Sequence, residues 1–117
     1  MPINTFEDII AWQQGKLLYV NLYEELIGTK DYCYRDQLLR ATLSISNNIA
    51  EGYDRGSKKE LRQFLIIARG SAAEVRSMLL VAGDLKLMSP KLITESLINV
   101  KDISRMLTGF IKSINIS

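Results

Sequence analysis

Apolar side chains recur every three or four residues through most of this chain, the spacing that gathers them on one face of an α-helix. The pattern predicts four helices. The first runs from about Thr5 to Ile27, entered through Asn4 or Thr5 as a capping residue, with Glu7 and Asp8 near the positive end of the helix dipole. Phe6, Ile9, Ile10, Leu17 and Val20 form one stripe on it, and Trp12, Tyr19, Tyr23 and Leu26 form a second. Gly28-Thr29-Lys30-Asp31 ends it. The second helix, from about Tyr34 to Glu51 or slightly beyond, sets Leu38, Thr42, Ile45, Ile49 and Tyr53 against a polar face of Arg40, Ser44, Asn47, Glu51 and Arg55. A break at Gly56 follows, and Ser57 with Glu60 reads as a reciprocal capping box opening the third helix. From Leu61 its apolar stripe is unbroken to Leu87, and the 31 residues from Ser57 make a rod of roughly 45 Å at about 1.5 Å per residue. Ser89-Pro90 opens the fourth helix, which carries Ile93, Leu97, Val100, Leu107 and Ile111.

Four amphipathic helices with short connections, no alternating strand pattern and no internal repeat predict an all-α, antiparallel up-down four-helix bundle occupying residues 1–117 as a single domain. The third helix carries more apolar surface than one bundle interior needs. Ile66, Leu80 and Val81 project from its far side with Ile67 flanking, and Gly70, Ala73 and Ser77 between them would allow close approach of another backbone. This predicts self-association through that face and the Trp12 and Tyr19 side of the first helix.

Composition narrows the chemistry. The 117 residues are 47% hydrophobic and 24% charged, enough for one packed core and too few for two. The chain has no histidine and a single cysteine, Cys33, which disfavours histidine-based catalysis, di-iron carboxylate sites, zinc cages and disulfides. No metal, cofactor or enzymatic activity is expected. No stretch approaches the ~18 apolar residues of a membrane span, and the N-terminus lacks a signal-peptide layout, so a cytoplasmic setting is expected. The net charge of +2 hides a gradient: two basic and five acidic residues in 1–34 (−3), eight and five in 35–76 (+3), five and three thereafter (+2).

The basic side chains concentrate around the second helix junction. Arg55, Lys58, Lys59 and Arg62, with Arg40 and Arg69 on the flanking helices, are the candidate phosphate contacts, because arginine forks and lysine point charges displace counterions from a nucleic-acid backbone. The same residues also suit a solvated helix start in which Arg55 and Lys59 balance Glu51, Asp54 and Glu60, and Arg40 pairs with Glu74. Asn47 and Asn48 suit hydration of the helix, and Trp12, Tyr19 and Tyr23 suit a core or subunit contact better than base stacking.

The segment from Arg40 to Arg55, with Ser57-Lys58-Lys59-Glu60, Phe64-Leu65, Ala68-Arg69-Gly70-Ser71 and Glu74, resembles the four-helix bundle proteins encoded in intervening sequences of bacterial large-subunit (23S) ribosomal RNA genes. Phe6, Asp8 and Trp12-Gln13 match the N-terminal pattern of that family. The resemblance implies a ring-like pentamer. It extends to the accessory variability protein of diversity-generating retroelements, which implies RNA or DNA and a reverse transcriptase as partners. A protein-interaction scaffold without a nucleic-acid role is the alternative.

Overall fold

A computed structural model of the chain describes residues 2–116 and contains, among them, four α-helices and no strand. The helices are α1 (Ile10–Leu26), α2 (Tyr32–Asp54), α3 (Lys58–Leu85) and α4 (Pro90–Ser113), preceded by a 3₁₀ turn at Phe6–Asp8. Each packs on its neighbours in chain order and α1 closes on α4, so α1 and α3 stand diagonally opposite in an elongated bundle of 47 × 24 × 19 Å.

Local chemistry sets the boundaries. Asp8 Oδ2 accepts from the backbone N–H of Asn4 at 2.9 Å and of Thr5 at 3.1 Å, which holds its carboxyl below the ordinary range and closes a separate turn. The predicted continuous helix from Thr5 is therefore interrupted, with Ile9 extended and buried between the two pieces. Asp31, Ser57 and Ser89 accept from the N–H groups of Tyr34, Glu60 and Leu92, capping α2, α3 and α4. At the Ser57 cap the box is one-sided, because the Glu60 carboxylate turns to Arg55.

α3 stops at Leu85, short of the expected Leu87. Lys86 adopts the left-handed conformation, φ 57° and ψ 41°, while the N–H of Leu87 reaches back to the Ala82 carbonyl at 3.0 Å. Glycine relieves the Cβ strain of that conformation, so Lys86→Gly is expected to raise stability by about 0.5 kcal/mol. A higher denaturant midpoint at unchanged slope is the result that checks it.

The core is made of Leu18, Leu22, Leu38, Ile45, Ile49, Leu65, Val75, Leu79, Val100, Ile103 and Leu107, all fully buried. The predicted stripes of α2, α3 and α4 supply most of it. In α1 neither predicted stripe forms the inner face. Ala11, Gly15, Leu18, Leu22 and Leu26 point inward, whereas Ile10 is 60% and Leu17 49% exposed, with Val20 and Tyr23 also outside. The reason is close packing at Gly15, where a Cβ would collide with Ser46 Oγ. That hydroxyl donates to the Trp12 carbonyl at 3.1 Å, binding α2 tightly to α1. The small residues Ala11 and Gly15 therefore set the inner face together with Leu18, Leu22 and Leu26, and the aliphatics Ile10 and Leu17 beside them are turned out.

This contact makes a defined prediction. Gly15→Ala is expected to destabilise by about 1 kcal/mol despite alanine's better helix propensity, because it displaces the Ser46 hydroxyl. With Ser46→Ala already present the nearest atoms would lie at 3.4 and 3.6 Å. The same Gly15→Ala should then stabilise by several tenths of a kcal/mol, a sign reversal readable in a double-mutant cycle.

Candidate nucleic-acid interface

The α2–α3 junction is built from a glycine turn between two capped helices. Gly56, at φ 79°, reverses the chain, and α2 and α3 approach closely behind it at Gly52 and Phe64. Arg55 fastens the corner. Its guanidinium donates to Glu51 at 3.1 Å and to Glu60 at 3.3 Å, and it lies 5.1 Å from the Phe64 ring centroid. The Glu51 hydrogen bond, then the nearby charges of Glu51 and Glu60, push the guanidinium further toward its protonated form.

That arrangement divides the predicted cations. Arg55 is committed to Glu51 and Glu60, as the solvated-helix alternative anticipated, whereas the pairing of Lys59 and the Arg40–Glu74 pair that it also expected do not form among the described residues. Lys58 and Lys59 are exposed and Arg62 half-buried in the first turns of α3, and none of the three forms an ion pair among the described residues. The turn's one acid, Glu60, is held by Arg55, so three cations stand at the positive end of a 28-residue helix with no ion-pair partner among the described residues.

The other two members lie elsewhere. Arg40 is exposed on α2, fifteen residues and hence ~22 Å along the helix from Arg55. Arg69 is half-buried and faces α4, its Nη1 donating to Thr108 Oγ1 at 3.4 Å. The six are therefore not one cluster. Arg76, Lys101 and Arg105 form a further basic group beside Arg69, around an open groove of about 540 Å³ between α3 and α4. Sequence reasoning passed over it because its two sides come from distant segments. The available signal was the heptad spacing of Arg62, Arg69 and Arg76 along α3.

The apolar residues outside the core also sort themselves. On α3, Ile66, Ile67, Gly70, Ala73, Leu80 and Val81 are exposed. On α1, Trp12 and Tyr19 are half-buried and packed against the core, Trp12 meeting the Phe6 ring edge-on at 5.2 Å. The outward stripe of α1 is Ile10, Leu17 and Val20 instead, continued by Ile27 at its C-terminal cap. Asn48 folds back onto Ser44, and Asn47 is exposed. Cys33 is free and exposed. Among the described residues no group of three His, Cys, Asp or Glu side chains could hold a metal ion, and no helix is long and apolar enough to cross a membrane.

No curated protein matches the chain. Among solved structures, a protein of unknown function from the S23 ribosomal protein family of Bacteroides thetaiotaomicron is similar at 23% identity. The match covers 89% of this chain and 96% of that one with a TM-score of 0.82, a likeness of fold. The family model described as 23S rRNA-intervening sequence protein matches residues 7–109, nearly the whole bundle just described. The chain belongs to the 23S rRNA-intervening sequence protein family.

Proposed function

We propose that this protein is a non-enzymatic, homo-oligomeric factor that binds RNA or DNA through phosphate contacts at the α2–α3 junction. The observation that carries the reading is the set Lys58, Lys59 and Arg62, which forms no ion pair among the described residues. Cations at a helix N-terminus oppose the dipole and work against stability, so their placement there suits an arriving anion better than the fold itself. Binding of this kind is weak per site, salt-dependent and indifferent to sequence, and several linked copies raise it by avidity.

Self-association is supported by the apolar stripes on diagonally opposed helices, Leu17 and Val20 on α1 and Ile67 and Val81 on α3. Two different patches on opposite sides favour a head-to-tail contact, which closes into a ring when its rotation permits. A single chain weighs 13.3 kDa, and light scattering is expected to give a multiple of that mass. Leu17→Arg and Val81→Arg are each expected to yield single chains. Mixed together they should form a two-chain species, since each variant keeps one intact patch. Failure of the mixture to pair would exclude head-to-tail assembly.

The nucleic-acid reading is tested by titrating the protein into labelled oligouridylate and oligothymidylate of twenty nucleotides at several salt concentrations. Affinity falling steeply with salt on both probes is the expected result. No binding at 50 mM salt by the assembled protein would leave a protein-interaction scaffold as the better account.

A further inference from the structure

We infer that the α3–α4 groove is a second phosphate-contact site, in which Arg76, Lys101 and Arg105 hold the sugar-phosphate backbone of the nucleic acid engaged at the junction. This rests on the reading above and extends it along the molecule. The groove offers about 540 Å³ of open space, with three cations and no acid among its lining residues. Ser77, Ser104 and Thr108 add hydroxyl donors on its walls. Arg76 and Lys101 form no ion pair among the described residues, whereas Arg105 meets Asp102 at 3.4 Å. That pair joins two exposed side chains three residues apart, is screened by solvent, and yields readily to a more highly charged partner.

The register of the two helices turns these residues into a track. Arg69 lies opposite Thr108, and a Cβ on Gly83 would meet Ile93, which places Arg76 across from Lys101 and Arg105 between the levels of Arg69 and Arg76. The seam therefore presents about one positive charge per helical turn, ~5.4 Å. A nucleic-acid strand carries its charges at a comparable density, one per ~3.4 Å of duplex axis. Every unit of such a strand is charged whatever its sequence, whereas a peptide carries a carboxylate only at its Asp and Glu residues, and arginine forks match phosphate oxygens in pairs. At the junction end the track is continued by Arg62, which is seven residues before Arg69 and ~10 Å from it along α3. No aromatic ring lines the groove, so it has no stacking platform and reads no base. Its floor includes Ala72, Ala73 and Leu80, and at Leu80 it borders the apolar stripe proposed for self-association.

The test is the triple variant Arg76→Gln, Lys101→Gln and Arg105→Gln, with oligouridylate of twenty nucleotides as the probe and inorganic tripolyphosphate as competitor. All three side chains are exposed, and unchanged thermal unfolding checks that the bundle is intact. Affinity at 50 mM salt is expected to fall at least tenfold, and the slope of log affinity against log salt to become shallower by about 2, at ~0.7 for each phosphate no longer neutralised. Tripolyphosphate should compete with the wild type only as its ionic strength requires. An unchanged slope overturns the inference. So does tripolyphosphate saturating the groove while oligouridylate binding is unaffected, which would make it a small-phosphate site. A change in molecular mass accompanying the affinity loss also overturns it, because the groove would then lie between copies. Loss of binding in the junction variant Lys58→Glu, Lys59→Glu, Arg62→Glu but not in the groove variant refutes the groove alone. Absence of wild-type binding refutes both sites.

Discussion

Reversing the charge at Lys58, Lys59 and Arg62 together is expected to weaken oligonucleotide binding by about 10² to 10³-fold near 0.1 M salt. Each single-strand phosphate contact contributes ~0.7 to the salt exponent, which at 0.1 M amounts to about fivefold per contact, or roughly 10² for three. Introducing three glutamates adds repulsion to that loss. The salt slope should become shallower by about 2 in the same measurement. Arg55→Gln supplies the contrast: its guanidinium is already held by Glu51 and Glu60, so the loss of affinity should be small beside that of the triple variant. Equal losses in the two variants would mean that the corner's integrity, rather than its free cations, governs binding.

Gly52→Ala should cost the fold about 2 kcal/mol. A Cβ at this position would stand 2.5 Å from Phe64 Cβ and 3.2 Å from Phe64 Cγ. The first obstacle is fixed directly to the α3 backbone, so no side-chain rotation removes it, and the two helices must separate over the length of the contact. Overpacking costs ~1–3 kcal/mol, here at the upper limit because the obstacle cannot rotate away, and the ~1 kcal/mol that alanine gains over glycine in a helix offsets part of it. Gly83→Ala is the matched control, since its Cβ would meet only Ile93 at an ordinary 3.6 Å. It should stabilise by up to about 1 kcal/mol. Denaturant unfolding of both variants separates the effects, and a neutral or stabilised Gly52→Ala would show that the approach of α2 to α3 relaxes freely. Because Gly52 and Phe64 sit directly behind the cationic corner, this variant is also expected to disturb the spacing of Arg55 from Lys58 and Lys59.

The helices themselves were legible in the chain because each boundary is a local event. Asp31, Ser57 and Ser89 cap through their own side chains onto N–H groups three residues away, and Gly56 turns the chain through its own backbone freedom. Apolar periodicity was equally sufficient for α2, whose polar face is interrupted by no large aliphatic except Leu43. It failed for α1, where large aliphatic residues occupy two sides. Hydropathy ranks Leu17 above Gly15, yet the contact with Ser46 requires a residue without a side chain. The Phe6–Asp8 turn was missed for a related reason. Asp8 reaches back to Asn4 and Thr5, a competing local structure that spacing alone cannot distinguish from a helix start.

Residue types and their spacing along the chain therefore determined the all-helical class, the four-helix count, most of the interior and the Lys58, Lys59 and Arg62 cluster. Those features depend on neighbours within about one helical turn. The orientation of α1, the dispersal of Arg40 and Arg69, and the gathering of Arg76 with Lys101 and Arg105 were decided only in three dimensions. Each depends on which helix lies alongside and at what register, and that is set by close packing at points such as Gly15 and Gly52.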